Sequence, residues 1–221
     1  MKASRGRPRK FDQEEALEAA LQLFWQTGFR GTTTRDLENA LKMSQPSIYN
    51  AFGSKQDLLL LAMDRYEARV QDELFDVLDH HVDGYQAIAA FFDELDAWMA
   101  SNEYKGCLMV TLMNGDAAAE AVTERVQNFR TKILDGFTKA IGRSETNETL
   151  VASRANALQA AVLGVHTSAA TAHSQTEIQD MIGGIRDLVS AWDQAAKLNY
   201  PAVLITWADH EGWSPALITV T

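Results

Sequence analysis

Ser44-Gln45-Pro46-Ser47-Ile48-Tyr49-Asn50-Ala51-Phe52-Gly53-Ser54-Lys55-Gln56-Asp57-Leu58 is the stretch on which the reading of this 221-residue chain turns. It predicts a short helix over 45–51, capped by Ser44 and tolerant of Pro46, because the first helical turn leaves its N–H positions unpaired anyway. Ile48 and Phe52 stand four apart and pack inward, leaving Gln45, Ser47, Tyr49 and Asn50 on the outer surface. Ser54 then stands three residues before Asp57, a capping pattern that opens a further helix.

Upstream the same signature occurs twice, in Thr33-Thr34-Arg35-Asp36 and Asp12-Gln13-Glu14-Glu15, and each acid suits a positive helix start. Leu17, Ala20, Leu21 and Phe24 recur at helical spacing after Asp12, and Gly28 is expected to stop that helix. Leu37, Ala40 and Leu41 make a second, shorter stripe. Two helices of about two turns joined by a tight turn form a helix-turn-helix. Amide and hydroxyl groups on the outer helix can both donate and accept, which suits base edges and phosphates. A plain helical hairpin is the bland alternative.

Composition narrows the function classes. The chain is 46% hydrophobic and 23% charged, so it is neither a disordered polypeptide nor a fibre, and only four prolines favour a mostly helical fold. No apolar run approaches the roughly 20 residues that span a bilayer, so no membrane partner is expected. The single Cys107 excludes an intramolecular disulfide and a Cys-based zinc site, and points to a reducing cytoplasm. The net charge of −10 is unevenly spread. Residues 1–55 hold nine Lys/Arg against six Asp/Glu, so a basic head sits on an acidic body. Such a head suits a polyanion. No phosphate loop, nucleophile elbow or paired acid–base signature points to an enzyme.

Residues 11–66 resemble the DNA-binding domain of the TetR/AcrR family of transcriptional regulators. The run Ala19-Ala20-Leu21-Gln22-Leu23-Phe24 with Gly28-Phe29-Arg30-Gly31-Thr32-Thr33 is similar to the family's first helix and the loop after it. Residues 44–58 are similar to its recognition helix and the start of the fourth helix. The resemblance implies that Thr33 or Thr34, Tyr49 and Lys55 touch phosphate, while Gln45, Pro46, Ser47 and Asn50 face the major groove. Two departures stand out. Lys42 occupies a turn position where the family usually has Gly, and a non-Gly residue at positive φ costs about 1 kcal/mol. Asn50 and Ala51 replace the aromatic or His residues often seen there, so no operator sequence can be borrowed. Arg5, Arg7 and Arg9 alternate with Gly6 and Pro8 in an arm suited to the minor groove.

The expected fold is all-α. It divides into a flexible basic arm over 1–10, a three-helix helix-turn-helix domain over 11–54, a helical effector-binding and dimerisation domain over 55–200, and a C-terminal extension over 201–221 of unassigned role. The helix from Lys55 is expected to run on through Val70, Leu74 and Leu78 and to link head to body. Two amphipathic helices near the C-terminus suit a homodimeric four-helix bundle, with Gly183-Gly184 permitting close backbone approach. Trp98, Cys107, Met113, Phe129 and His166 are candidate effector contacts, although their spacing also fits core. Met109 and Phe137 share that ambiguity, and His173 stands seven residues after His166. No metal and no cofactor are expected. Cys107 begins Gly-Cys-Leu at a helix start, where the helix end and Lys105 would lower a thiol pKa; an inert buried thiol is the alternative to a redox sensor.

The expected function is a ligand-responsive repressor that binds a palindromic double-stranded DNA operator as a homodimer and is released by a small apolar or amphipathic effector. The alternative is a helical DNA-binding protein without an effector.

Overall fold

Asp12 opens the first helix, α1 (Gln13–Gly31), by accepting hydrogen bonds from the Glu14 and Glu15 N–H groups at 2.9 and 3.4 Å. The computed structural model describes residues 12–114, 120–171 and 174–198, and among these every regular element is helical. Gly28 breaks α1 where its sequence suggests: at φ 69° and ψ 178°, a conformation that favours glycine, it leaves helical geometry, and a short second helical stretch runs on to Gly31. The Thr32 hydroxyl takes the Gly28 carbonyl at 2.7 Å, so the kink leaves that buried acceptor satisfied.

The Thr33–Asp36 box opens α2 (Thr34–Leu41) and the Ser54–Asp57 box opens α4 (Lys55–Val70), with α3 (Gln45–Phe52) between them. Lys42 closes α2 in the left-handed region (φ 53°, ψ 38°), the strain anticipated for a non-Gly residue there. Ile48 and Phe52 anchor α3 inward, with Leu37, Leu41 and Leu58 also buried. α1 lies along α4 and is tied to it by Glu18, which accepts from Arg65 at 2.7 Å and Arg69 at 2.5 Å.

The long helix expected beyond Val70 is interrupted. A π turn (Gln71–Phe75) and a 3-10 turn (Asp76–Asp79) continue it. Val70, Leu74 and Leu78 recur every four residues, a spacing that an α-helix rotates by about 40° per step. The wider π turn offsets that drift between Val70 and Leu74, and all three side chains are buried.

The body comprises α5 (Gly84–Ser101), α6 (Leu108–Asn114), α7 (Glu120–Gly142), α8 (Glu148–Ala170) and α9 (Gln175–Lys197). Phe91 and Phe92 of α5 meet Phe137 of α7 at ring separations of 5.0 and 6.4 Å, and burial of each such ring contributes about 1.5–3 kcal/mol. α9 packs on α5 and α8 through Ile178, Ile182 and Val189, whereas Met181 and Leu188 of the same helix are exposed. No backbone approaches Gly183 or Gly184 closely: a Cβ built on either would meet nothing within 4 Å. Their expected close packing is therefore absent within the protomer.

Candidate nucleic-acid interface and effector cavity

Gln45, Pro46, Ser47, Tyr49 and Asn50 all stand exposed on α3, while Ile48 and Phe52 hold the helix to the head from the opposite side. This is a polar, uncharged face on a two-turn helix, anchored by two apolar side chains. Ser44 does not cap it as its position suggests; the Ser44 hydroxyl pairs with the Ser47 hydroxyl at 2.9 Å. Glu38 of α2 does the capping instead, its carboxylate accepting from the Gln45 N–H at 2.7 Å. Sequence reading passed over Glu38 because the pairing runs between two helices, seven residues apart.

Thr33 and Thr34 flank the start of α2. The Thr33 hydroxyl donates to Asp36 at 2.6 Å and accepts the Asp36 N–H at 3.2 Å, and the hydroxyl and backbone bonds from Thr33 lower the Asp36 pKa. The Ser54 bonds do the same for Asp57. These two acids are thereby engaged in helix caps. Arg35, exposed beside Thr34, adds a cation to the same edge. Lys55 is half-buried: its ammonium donates to the Thr32 carbonyl at 2.5 Å and lies 4.4 Å from the Phe29 ring centre. Burial lowers its pKa, partly opposed by Tyr49. One of its three protons is thus committed to the end of α1, and two remain. Arg5, Arg7 and Arg9 lie outside the described residues.

Within the body lies an apolar cavity of about 260 Å³. Trp98 (α5), Cys107 (before α6), Met113 (α6), Phe129 (α7) and His166 (α8) all line it. Tyr66 and Val70 of α4 and Leu74 and Phe75 of the π turn form the wall nearest the helix that leads to the head. Trp25 of α1 stacks on Trp98 at 5.6 Å and meets Tyr66 edge-on at 5.1 Å. A cavity-lining ring therefore touches the first helix of the head directly. Sequence reading missed Trp25, whose apolar character alone gives no hint of a partner in the body. A neighbouring charged depression of about 320 Å³ shares Phe75, Phe129 and Ile133 with the cavity. Along it Glu67 of α4 accepts from Arg125 at 2.5 Å and Lys132 at 3.0 Å, both on α7.

Cys107 departs from the lowered thiol pKa that its place at a helix start suggested. Burial pushes the thiol pKa up, outweighing the hydrogen bonds from Tyr66, Val110 and Met109. Lys105 is turned elsewhere, 3.4 Å from Glu103. The Tyr66 hydroxyl donates to Cys107 Sγ at 3.2 Å. Gly106 (φ 81°) brings this thiol against α8, where a Cβ would lie 2.8 Å from the His166 carbonyl. Burial pushes the His166 pKa down to about 4, so the ring is neutral near pH 7, and its Nδ1 has no hydrogen-bond partner. His173 lies outside the described residues. Among the described residues, no three His, Cys, Asp or Glu side chains converge as a metal site, and no helix is long and apolar enough to cross a membrane.

An exposed polar helix on a three-helix head, carried by a helical body with an internal cavity, is a helix-turn-helix architecture. Residues 16–62 match the bacterial regulatory proteins of the tetR family, and the chain belongs to that family. It is 32% identical over 139 residues to the HTH-type transcriptional repressor ComR of Escherichia coli (strain K12), across 59% of this chain and 66% of ComR. Over 73 residues it is 38% identical to the repressor BdcR of the same organism, across 33% of this chain and 37% of BdcR. The chain thus spans just under two thirds of one relative and little more than a third of the other. A cysteine mutant of the TetR family transcriptional regulator CifR, solved with a 26-bp double-strand operator DNA, superposes with a TM-score of 0.76 at 26% identity. That superposition covers 84% of this chain and all of CifR.

Proposed function

We propose that this chain is a repressor that docks as a homodimer on a palindromic operator and lets go when a small apolar or amphipathic effector fills the body. Residues 11–54 form its DNA-binding head and residues 55–200 its effector-binding and dimerisation body, acting in a reducing cytoplasm. Gln45, Pro46, Ser47 and Asn50 read the major groove. Thr34, Tyr49 and Lys55 hold phosphates, the Thr33 hydroxyl and N–H being committed to Asp36, and Arg5, Arg7 and Arg9 reach the adjacent minor groove. The observation that carries the effector reading is the shared wall: one cavity is bounded by α4, by the π turn and by Trp98, which stacks on Trp25 of the head.

The second protomer covers the outer face of α8 and α9. α8 is apolar or small around much of its circumference, a composition that belongs to a buried helix. On α9, Met181 and Leu188 are exposed and the glycines have free space. Effector in the cavity presses on Tyr66, Val70 and Phe75, turning α4 and moving the two recognition helices off successive major grooves about 34 Å apart. The ligand must prefer the released state for this to occur, and by reciprocity operator DNA then weakens ligand binding by the same factor. Selection of bound DNA from a random pool yields the operator and its half-site spacing. Ligand titration with and without that operator then tests release. Equal affinities in the two titrations would leave a constitutive DNA binder.

A further inference from the structure

The two ends of the cavity differ in chemistry. Asn156 and His166 both line it from α8, ten residues apart, which corresponds to about 15 Å along the helix. At the outer end Arg130 and Asn156 are exposed, and Gln159 donates to the Arg130 carbonyl at 2.7 Å. The Arg130 guanidinium pairs with no carboxylate among the described residues, and no described carboxylate lines the cavity. At the inner end the buried Trp98 Nε1–H and His166 Nδ1 are both without hydrogen-bond partners. Between the two ends the walls are aliphatic and aromatic.

We propose that the cavity selects an extended amphiphile. Its anionic head sits at Arg130 and Asn156, its apolar body lies along α8, and an uncharged hydrogen-bonding group ends it beside Trp98 and His166. Cations are rejected, because Arg130 repels them at the mouth and no carboxylate repays their desolvation inside. The neutral His166 ring offers one donor and one acceptor, which matches a terminal hydroxyl. This ligand class rests on the effector reading above.

The probes are dodecanoate, ω-hydroxydodecanoate and dodecylammonium, whose extended chains suit the cavity length, titrated calorimetrically into the full chain. Dodecanoate is expected to bind and dodecylammonium to bind about fivefold more weakly, the upper end of the effect of one partly exposed charge contact. The ω-hydroxyl is expected to tighten binding by a similar factor. Arg130→Glu, a surface change, should reverse the order of carboxylate and ammonium, and His166→Phe should abolish the ω-hydroxyl preference. Equal affinity for the two charges, or binding of none of the three, overturns the ligand class. Operator release is scored separately. A carboxylate that binds without altering operator affinity keeps the ligand class and overturns the effector reading; release by another molecule, with no carboxylate binding, does the reverse.

Discussion

Replacing Lys55 by Ala tests two roles at once. It removes the Nζ bond to the Thr32 carbonyl at 2.5 Å and the charge over Phe29 at 4.4 Å. A hydrogen bond from a charged group contributes about 1.5–3 kcal/mol, and a cation over an exposed ring about 0.5–1 kcal/mol. Lys55 is half in solvent, which places the sum near the low end, about 2 kcal/mol. For a chain of this size, 1 kcal/mol moves Tm by about 2–4 °C, so a drop of about 4–8 °C is expected in a thermal melt. The two remaining protons are available to a phosphate, and losing that contact reduces the slope of log affinity against log salt by about 0.9 per protomer. Fluorescence anisotropy with labelled operator at four or more salt concentrations reads that slope. Lys55→Arg should keep the slope, since it keeps the charge. A fall in Tm with an unchanged slope would refute the phosphate contact. An unchanged Tm with the reduced slope would refute the clamp on α1.

Gln45→Ala and Asn50→Ala should each weaken the preferred operator by about 1–3 kcal/mol and relax one position per half-site, measured by anisotropy on single-base operator variants; Tyr49→Ala should weaken all sequences alike. Glu38→Ala should lower Tm by about 2–4 °C through loss of the cap on α3, while Glu38→Gln, which keeps an acceptor for the Gln45 N–H, should restore most of it. Acid denaturation should report Glu18: despite partial burial, its bonds to Arg65, Gln22 and Arg69 lower its pKa from 4.5 to about 2. Its contribution is therefore complete above pH 4.5 and lost as pH falls towards 2; screening reduces it to about 1 kcal/mol, and Glu18→Gln should flatten urea-measured stability across that window. Leu188→Glu combined with Met181→Glu should raise the dimer dissociation constant in sedimentation equilibrium; an unaltered constant would place the interface elsewhere.

What could be read along the chain was local. The boxes Thr33–Asp36 and Ser54–Asp57 were legible because a cap joins residues three apart, a distance set by helix geometry alone. The inward pair Ile48 and Phe52 was legible for the same reason, and with it the exposed face of Gln45, Ser47, Tyr49 and Asn50. Where local rules misled, a neighbour from elsewhere intervened. Glu38 displaced Ser44 as the cap of α3. Burial raised the Cys107 pKa that a helix start would have lowered, outweighing the hydrogen bond from Tyr66.

By itself the sequence determined the all-α architecture of the described residues, a short polar helix held by two apolar side chains, and a charge division between head and body, because each depends on residue type and spacing within a few turns. Only the tertiary structure decided which apolar stripes would leave a void, since that depends on how five helices cross and not on the hydrophobicity of any one of them. Trp98, Cys107, Met113, Phe129 and His166 come from different elements of the body and share one cavity through those crossings. The stack of Trp25 on Trp98 and the π turn that keeps Leu74 inside belong to the same level, because the positions of both are set by surfaces on helices distant in sequence.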